Sequence, residues 1–294
     1  MKRLSIIIVT YNSEHDIFDC VESIKQYCGI PRNELELIIV DNNSRAPQPM
    51  FAQLKSVWGD DIVLIENDKN CGYGQGNNVG IRQAKAPVIL IMNPDVRLME
   101  PIFEKALQDF EIDNRLSIYG MKQMLSPSEP STNSIACTNM MNGYLATILT
   151  AIANRTDRYF ARFMYFSGSC FFIRKQMFEE IGLFDEDIFM YGEEDDIHHR
   201  MLKRHDCHMT YNPRLHYIHL TKDREPDLEY EKRIFQSILV LLQKKGQKKE
   251  TVIKNRIRNV NLQLWREIIR VNVGKGNPLL LYMLKDFKKY LQSL

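Results

Sequence analysis

The chain has 294 residues, of which 44% are hydrophobic, 10% aromatic and 26% charged, with a formal net charge of +2. That composition supplies a full core and excludes a disordered chain or a disulfide scaffold, and no stretch approaches the ~20 apolar residues that span a bilayer. The charge is unevenly placed: residues 1–221 carry 22 Lys+Arg against 29 Asp+Glu, net −7, and residues 222–294 carry 17 against 8, net +9.

The six cysteines (Cys20, Cys28, Cys71, Cys137, Cys170 and Cys207) form no CxxC pair, which fits a reducing compartment. The apolar run after Met1-Lys2-Arg3 is too short for a signal peptide and lacks a small-residue cleavage site, so no leader is expected.

In chain order, residues 4–9, LSIIIV, read as a buried strand ending on Thr10-Tyr11-Asn12-Ser13. Ser13 has the form of an N-cap, with Asp16 three residues on, for a helix to about residue 27. Gly29 closes that helix and Pro31 follows it. Residues 35–40 are the next strand, ending on Asp41-Asn42-Asn43-Ser44. Pro47 opens a helix to about residue 57, and residues 61–65 make a further strand. The loop NCGYGQGNNVGIRQA then feeds a helix.

The run 88–96, VILIMNPDV, organises what surrounds it. Its unbroken apolar character between Pro87 and Pro94 predicts a strand buried on both faces. Strands alternating with helices over residues 4–96 predict a parallel sheet with crossover helices.

Beyond it the pattern predicts a helix over 101–115, a strand over 116–124 and a loop over 126–139. Residues 140–162 give no clear period. A strand over 163–173 is interrupted by Ser167-Gly168-Ser169. A short helix over 175–181, an extended stretch over 184–190, a helix over 193–204 and strands over 207–211 and 215–220 follow. The tail reads as three helices, 228–245, 252–273 and 279–291. In the second, Ile253, Ile257, Val260, Leu264, Ile268 and Val271 share one stripe, with Arg256, Arg258, Arg266 and Arg270 largely off it. Such basic amphipathic helices either lie on an anionic surface or pack on the rest of the chain.

Ligands of open α/β sheets sit outside the carboxyl ends of the strands. Three such ends fall together: Tyr11-Asn12, the run Asp41 to Ser44 that includes Asn43, and Asn93-Pro94-Asp95. An aromatic at the first could stack on a base, and a carboxylate at the second could accept from a base or ribose. A carboxylate at the third either caps a turn or holds Mg²⁺ or Mn²⁺ between phosphates. Gly72-Tyr73-Gly74-Gln75-Gly76 lacks the GxGxxG spacing of a dinucleotide site. His198, His199, His205, His208, His216 and His219 crowd one segment with Cys207, but without structural-zinc spacing. Glu193, Glu194, Asp195 and Asp196 repel one another at a helix start, which raises a carboxyl toward the range of a general base.

These segments, SIIIVTYN, LIIVDNNS, NCGYGQGNNVGI, MNPDV and FSGSCFFIRKQMFEEIGLFDEDIFMYGEEDDIHHR, occur in the order of a known family. Over residues 4–221 the chain resembles the family 2 inverting glycosyltransferases, in particular their bacterial rhamnosyl- and galactofuranosyltransferase-like branch. The resemblance implies the GT-A fold, a Rossmann-like, mixed but mainly parallel sheet with helices on both faces. It implies a catalytic unit over 1–221, with a nucleotide-binding half at 1–98 and an acceptor half at 99–221, followed by a basic helical extension at 222–294.

It implies that Thr10 and Tyr11 line a nucleobase pocket and that Asp41 binds the base near Ser44. Asn70, Gly72, Asn77 and Asn78 would border the nucleotide, and Gly168 and Ser169 the donor sugar and acceptor. Asn93 and Asp95 stand in the place of the family's DxD motif, and His219 completes the metal site. Glu194 falls in the place of the catalytic base with Asp196 in the later acidic place; a shift of one residue makes the base Asp195. The usual Gly/Ser-rich stretch after the histidine is replaced by residues 221–224, where Lys222 or Arg224 could meet the diphosphate.

The function so implied is metal-dependent transfer, with inversion, from a UDP- or dTDP-sugar to a hydroxyl of a glycan or lipid-linked acceptor. Bacterial cell-surface polysaccharide synthesis is the implied setting. A cytoplasmic protein is expected, peripheral on the inner membrane face through its basic helices or dimeric, with no nucleic acid partner. A nucleotidyltransferase, or a sugar-nucleotide binder that has lost its base, are the alternatives.

Overall fold

A computed structural model describes residues 1–59, 61–140, 143–220 and 225–294. Its first part is β1 (Leu4–Thr10), α1 (Ile17–Gln26), β2 (Leu35–Asp41), α2 (Pro47–Trp58), β3 (Ile62–Glu66), α3 (Tyr73–Gln83) and β4 (Val88–Met92). β1 pairs in parallel with β2 on one side and β4 on the other, and β2 pairs in parallel with β3. The crevice at the carboxyl ends of these strands is where the strand order reverses. β2 and β4 are buried along their whole length and β1 nearly so, which is why each is an unbroken apolar run.

Then follow β5 (Val96–Leu98), α4 (Phe103–Ile112), β6 (Leu116–Ser126), β7 (Glu129–Pro130), β8 (Ile135–Cys137), α5 (Gly143–Thr156), β9 (Met164–Phe166), β10 (Cys170–Arg174), α6 (Lys175–Glu180), α7 (Glu193–Met201) and β11 (His208–His219). The main sheet runs β3-β2-β1-β4-β10-β6-β11-β5, with β7 added beside β6. β10 is antiparallel to both neighbours, and β5 is antiparallel to β11. The expected mixed, mainly parallel sheet is therefore present.

Side chains alternate between two cores. Leu90 and Met92 join Leu37, Phe103, Phe110 and Phe172 on the face covered by α1, α2 and α4. Ile89 and Ile91 join Ile38, Phe171, Phe178 and Phe184 on the face of α3, α6 and α7. The tail helices α8 (Leu228–Lys244), α9 (Lys249–Asn272) and α10 (Pro278–Ser293) enclose a core of their own around Phe235, Val260, Leu284 and Phe287.

Several boundaries differ from the sequence reading. The run 88–96 is split: β4 stops at Met92, Pro94 turns the chain, and Val96 starts β5. α1 begins at Ile17, because residues 13–16 form a turn in which the Ser13 carbonyl accepts from Asp16 and Ile17 while its hydroxyl bonds Tyr11. The stretch 126–139 is not all loop, since β8 pairs with β9 as a separate two-stranded sheet. Residues 163–173 are two strands in different sheets, joined by the turn at Gly168. Residues 184–190 hold turns rather than a strand. The strands expected at 207–211 and 215–220 are one, β11, with a register shift between Asn212 and His216 around Pro213. Ile268 is 42% exposed, off the buried stripe. Lys222 and Arg224 lie outside the described residues.

Candidate active site

At the carboxyl ends of β1 and β2, Asp41 is fully buried and knots two loops together. Its Oδ1 accepts from Thr10 Oγ1 (3.0 Å) and Ser44 Oγ (2.6 Å), and its Oδ2 from the Ser44 N–H (2.8 Å). Ser44 Oγ in turn accepts from the Asn12 N–H at 2.8 Å. Asn12 and Asn43 hold φ of 50° and 64°, a conformation Asn tolerates better than most residues. The result is a fixed rim from which Tyr11, 53% exposed, presents its ring, while Asn43 is exposed beside it.

Asn42, buried, donates to the Gly72 carbonyl at 2.9 Å and accepts from Asn67 at 2.7 Å, fastening the glycine-rich loop to the rim. Gly72 has φ +98°, and a Cβ there would lie 2.2 Å from the Phe189 carbonyl oxygen, so only glycine fits. Asn70 Oδ1 accepts from the Gly72 N–H at 3.0 Å. Asn77 donates to the Tyr73 carbonyl at 3.0 Å, and its Oδ1 is buried without a hydrogen-bond partner. Asn78 is spent elsewhere: its amide grips the Phe184 backbone at both N–H (3.0 Å) and C=O (2.9 Å), clipping α3 to the segment before α7.

The turn 93–95 carries a different signature. Among the described residues, Asn93 Oδ1 and Asp95 Oδ1 are both buried without a hydrogen-bond partner. His219 Nε2 stands 3.3 Å from Asp95 Oδ1, brought there because His219 pairs with Val96 across β11 and β5. Two orphaned oxygens beside an imidazole nitrogen suit a hard divalent cation. Among the described residues no three His, Cys, Asp or Glu side chains converge on one point. A cation held there would complete its shell with water or substrate oxygens, as Mg²⁺ commonly does.

The Asn93 N–H donates to the Ser169 carbonyl at 2.8 Å. Ser169 itself is buried, with its hydroxyl at 2.9 Å from Ser167 Oγ and 3.0 Å from Tyr217 OH. One residue earlier, the Gly168 carbonyl accepts from Tyr73 OH at 2.7 Å. Gly168 is the contact point of the acidic helix, since a Cβ there would lie 1.8 Å from Glu194 Oε1. The turn 167–169 thus holds the 93–95 corner on one side and Glu194 on the other.

The four carboxylates that open α7 separate into four environments. Glu193 is buried, with Oε2 accepting from the Tyr191 N–H at 3.3 Å and Oε1 without a partner. Asp195, 2% exposed, accepts from Thr138 Oγ1 (2.8 Å), the Asn139 N–H (2.9 Å) and Lys245 Nζ (2.8 Å). Asp196 is held by Arg200 Nε at 2.7 Å, and that guanidinium also donates to the Leu183 carbonyl at 2.6 Å.

Glu194 is half-buried over Gly168. Burial, and then the charge of Asp195, push its carboxyl above the ordinary range, against the pull of the Glu194 and Gly192 backbone N–H groups. Burial likewise raises Glu193, aided by the charge of Glu194. His198 is pushed down to about 4 by burial and is neutral, with Nδ1 2.8 Å from the Glu194 carbonyl and Nε2 accepting from the Phe166 N–H at 3.3 Å. Sequence reasoning gave no role to Tyr73, Thr138 or Lys245, and named Asn42 only as part of the strand-end run 41–44. Tyr73 sits inside the quoted glycine-rich motif, but Thr138 and Lys245 carry no local signal.

The fold is that of the GT-A class, on which solved structures agree. The chain aligns with S. aureus TarS 1–349 at TM-score 0.54 and 16% identity, covering 86% of this chain and 69% of that one. It aligns with the mannosyltransferase PcManGT from Pyrobaculum calidifontis, in complex with GDP-Man and Mn²⁺, at TM-score 0.58 and 16% identity, covering 99% and 70%.

The sequence profile of "Glycosyl transferase family 2" matches residues 5–182, and the chain belongs to that family. Among curated relatives, a low-salt glycan biosynthesis hexosyltransferase of Haloferax volcanii is 28% identical over 201 residues, covering 67% of this chain and 61% of the relative. The uncharacterized glycosyltransferase YwdF of Bacillus subtilis is 25% identical over 193 residues, covering 66% of each. The chain therefore spans about three fifths to two thirds of the length of these relatives.

Proposed function

We propose that this glycosyltransferase moves a sugar from a UDP- or dTDP-sugar to a hydroxyl of a glycan or lipid-linked acceptor, with inversion at the anomeric carbon. The observation that carries the reading is the turn 167–169. It sets the raised carboxyl of Glu194 one residue step from the Asn93/Asp95/His219 donor set. A base and a leaving-group site must flank one anomeric carbon for a single in-line displacement.

Tyr11 stacks on the nucleobase, and the rim built on Asp41, Thr10, Asn12, Asn43 and Ser44 receives base and ribose. The loop at Asn70, Gly72 and Asn77 borders the nucleotide. Asp95 and His219, with Asn93 beside them, would hold Mg²⁺ or Mn²⁺, which supplies charge neutralisation for the departing nucleoside diphosphate. Glu194 takes the proton of the acceptor hydroxyl as that oxygen attacks; its raised pKa makes it a stronger base than an ordinary carboxylate. Asp195 and Asp196, each tied to a cation, hold α7 in place. Residues 1–221 act as the catalytic unit, divided near residue 98, with 222–294 as an extension. The name of the Haloferax relative supports a role in glycan biosynthesis.

The test is a donor panel of UDP-hexoses, UDP-N-acetylhexosamines, UDP-galactofuranose, dTDP-rhamnose and GDP-mannose with Mn²⁺, with and without EDTA. EDTA-sensitive release of nucleoside diphosphate from one donor establishes the reaction and names the sugar. Release of pyrophosphate from a nucleoside triphosphate and a sugar 1-phosphate, with formation of the nucleotide sugar, would instead make the protein a nucleotidyltransferase.

A further inference from the structure

Helix α9 is apolar on two opposite stripes. The inner one, Ile253, Ile257, Val260 and Leu264, packs into the core shared with α8 and α10. The outer one begins where the inner cover ends. Leu262, Trp265, Ile269 and Val273, spaced i, i+3, i+7 and i+11 on one side of the helix, are 48%, 67%, 44% and 62% exposed. Past the turn after Asn272, Leu279 and Tyr282 at the start of α10 are 60% and 66% exposed. A soluble helix covers one stripe and gives the other to polar residues. Here a second apolar stripe, an indole and a phenol stand uncovered together, which marks a surface with a partner.

The charge says which partner. Between residues 251 and 285 the cations are Lys254, Arg256, Arg258, Arg266, Arg270, Lys275 and Lys285, and the sole carboxylate is Glu267. Glu267 is 4% exposed and already spent, its Oε1 accepting from the Asn277 N–H at 2.6 Å and its Oε2 lying 3.7 Å from Arg270 Nε. Arg266, Arg270 and Lys275 are exposed beside the apolar stripe. A second copy docked by a two-fold on this face would set these cations against themselves, with no carboxylate on the stripe beyond the Glu267 that Arg270 already meets. An anionic bilayer offers both what the apolar side chains need and what the cations need, and the Trp/Tyr pair is of the kind that settles at headgroup level. No described helix is long and apolar enough to cross a membrane, so the contact is one of lying on the surface.

We infer that the α9–α10 hairpin, through Leu262, Trp265, Ile269, Val273, Leu279 and Tyr282 with Arg266, Arg270 and Lys275, docks the protein on anionic lipid. Helix α5 packs against α9 and shows the same composition: Ile148 and Ile152 are exposed near Arg155, and Phe160 and Phe163 flank Arg162. This layer adjoins the base, since the Thr138 N–H donates to the Phe163 carbonyl at 2.9 Å and Thr138 holds Asp195. The inference does not rest on the transfer reaction, and its test uses no sugar substrate.

The chain has two tryptophans, and Trp58 is 4% exposed under the Arg32 guanidinium. Trp265 therefore reports on the hairpin. The full chain is mixed with phosphatidylglycerol-rich or pure phosphatidylcholine vesicles at low salt, and tryptophan emission and co-sedimentation are read together. The expected result is a blue shift and binding to anionic vesicles about tenfold or more tighter than to neutral ones, weakened by salt. Arg266→Glu with Ile269→Glu should lose that binding by about tenfold or more while circular dichroism and melting stay as in the parent. No blue shift with anionic vesicles, equal binding of the double variant, or a vesicle-free dimer that shields Trp265 from a soluble quencher would overturn the inference.

Discussion

In the proposed reaction Glu194 is the residue on which the chemistry turns, and its neighbours define its pH behaviour. Glu193 and Asp195 flank it in sequence, Tyr73, Tyr165 and neutral His198 pack around it, and Lys245 reaches it only through Asp195. With burial first and Asp195 second, its carboxyl is raised. A base must be ionised, so transfer falls as pH drops through that raised value, and the acid limb of kcat should lie above the ordinary carboxyl range of about 4.3. Glu194→Gln keeps the shape and removes the base; kcat should fall by about 10²-fold or more, with donor affinity by calorimetry nearly unchanged. In the same proposal Asp95→Ala acts on the other side of the reacting carbon. It should weaken Mn²⁺-dependent donor binding about tenfold or more and leave metal-free nucleotide binding intact, and an unaltered Mn²⁺ titration would remove Asp95 from the metal site.

The turn between β9 and β10 is the element that joins these two residues. Gly168→Ala puts a methyl where Glu194 Oε1, Cδ and Cγ now lie, at 1.8, 2.5 and 2.6 Å. Those atoms belong to one side chain that can rotate away, so the melting temperature should move little while kcat falls steeply and donor KM holds. An inactive but poorly folded Gly168→Ala protein would contradict that division. This contact could not be read from the sequence, although both residues were singled out, because Gly168 and Glu194 meet only in the fold. The parallel strands were legible for the opposite reason: burial on both faces writes itself as an unbroken apolar run. Residues 126–162 were not. β8 is three residues long and is held by side chains, with Asn154 bonding Ile135 at both N–H (3.1 Å) and C=O (2.7 Å). α5 leaves Leu145, Ile148 and Ile152 exposed, so it carries no clean inward period. The outer stripe of α9 was hidden in the same way, by the stronger inner one.

At the scale of the whole molecule the tail helices are fastened at the root of the base. Lys245, at the end of α8, sets Nζ 2.8 Å from Asp195 Oδ1 and 3.2 Å from the Asp195 carbonyl, and both side chains are 2–3% exposed. Next to it Leu241 packs on Gly192, Tyr191 OH meets Tyr230 OH, and Lys244 bridges Asp185 and Asp187. An ion pair taken out of water gains little against its desolvation, but losing one partner strands the other charge. Lys245→Met should therefore destabilise the full chain by about 3–5 kcal/mol. The unneutralised Asp195 should also carry the acid limb of kcat to higher pH, because a nearby negative charge disfavours ionisation of Glu194. Asp195→Asn with Lys245→Met removes both charges and should recover most of the stability and return the limb toward its parent position. Denaturant melts of the two single variants and the double one decide it. If the two losses simply add, the pair does not couple the tail to the base, and the extension is only an attachment to the catalytic unit.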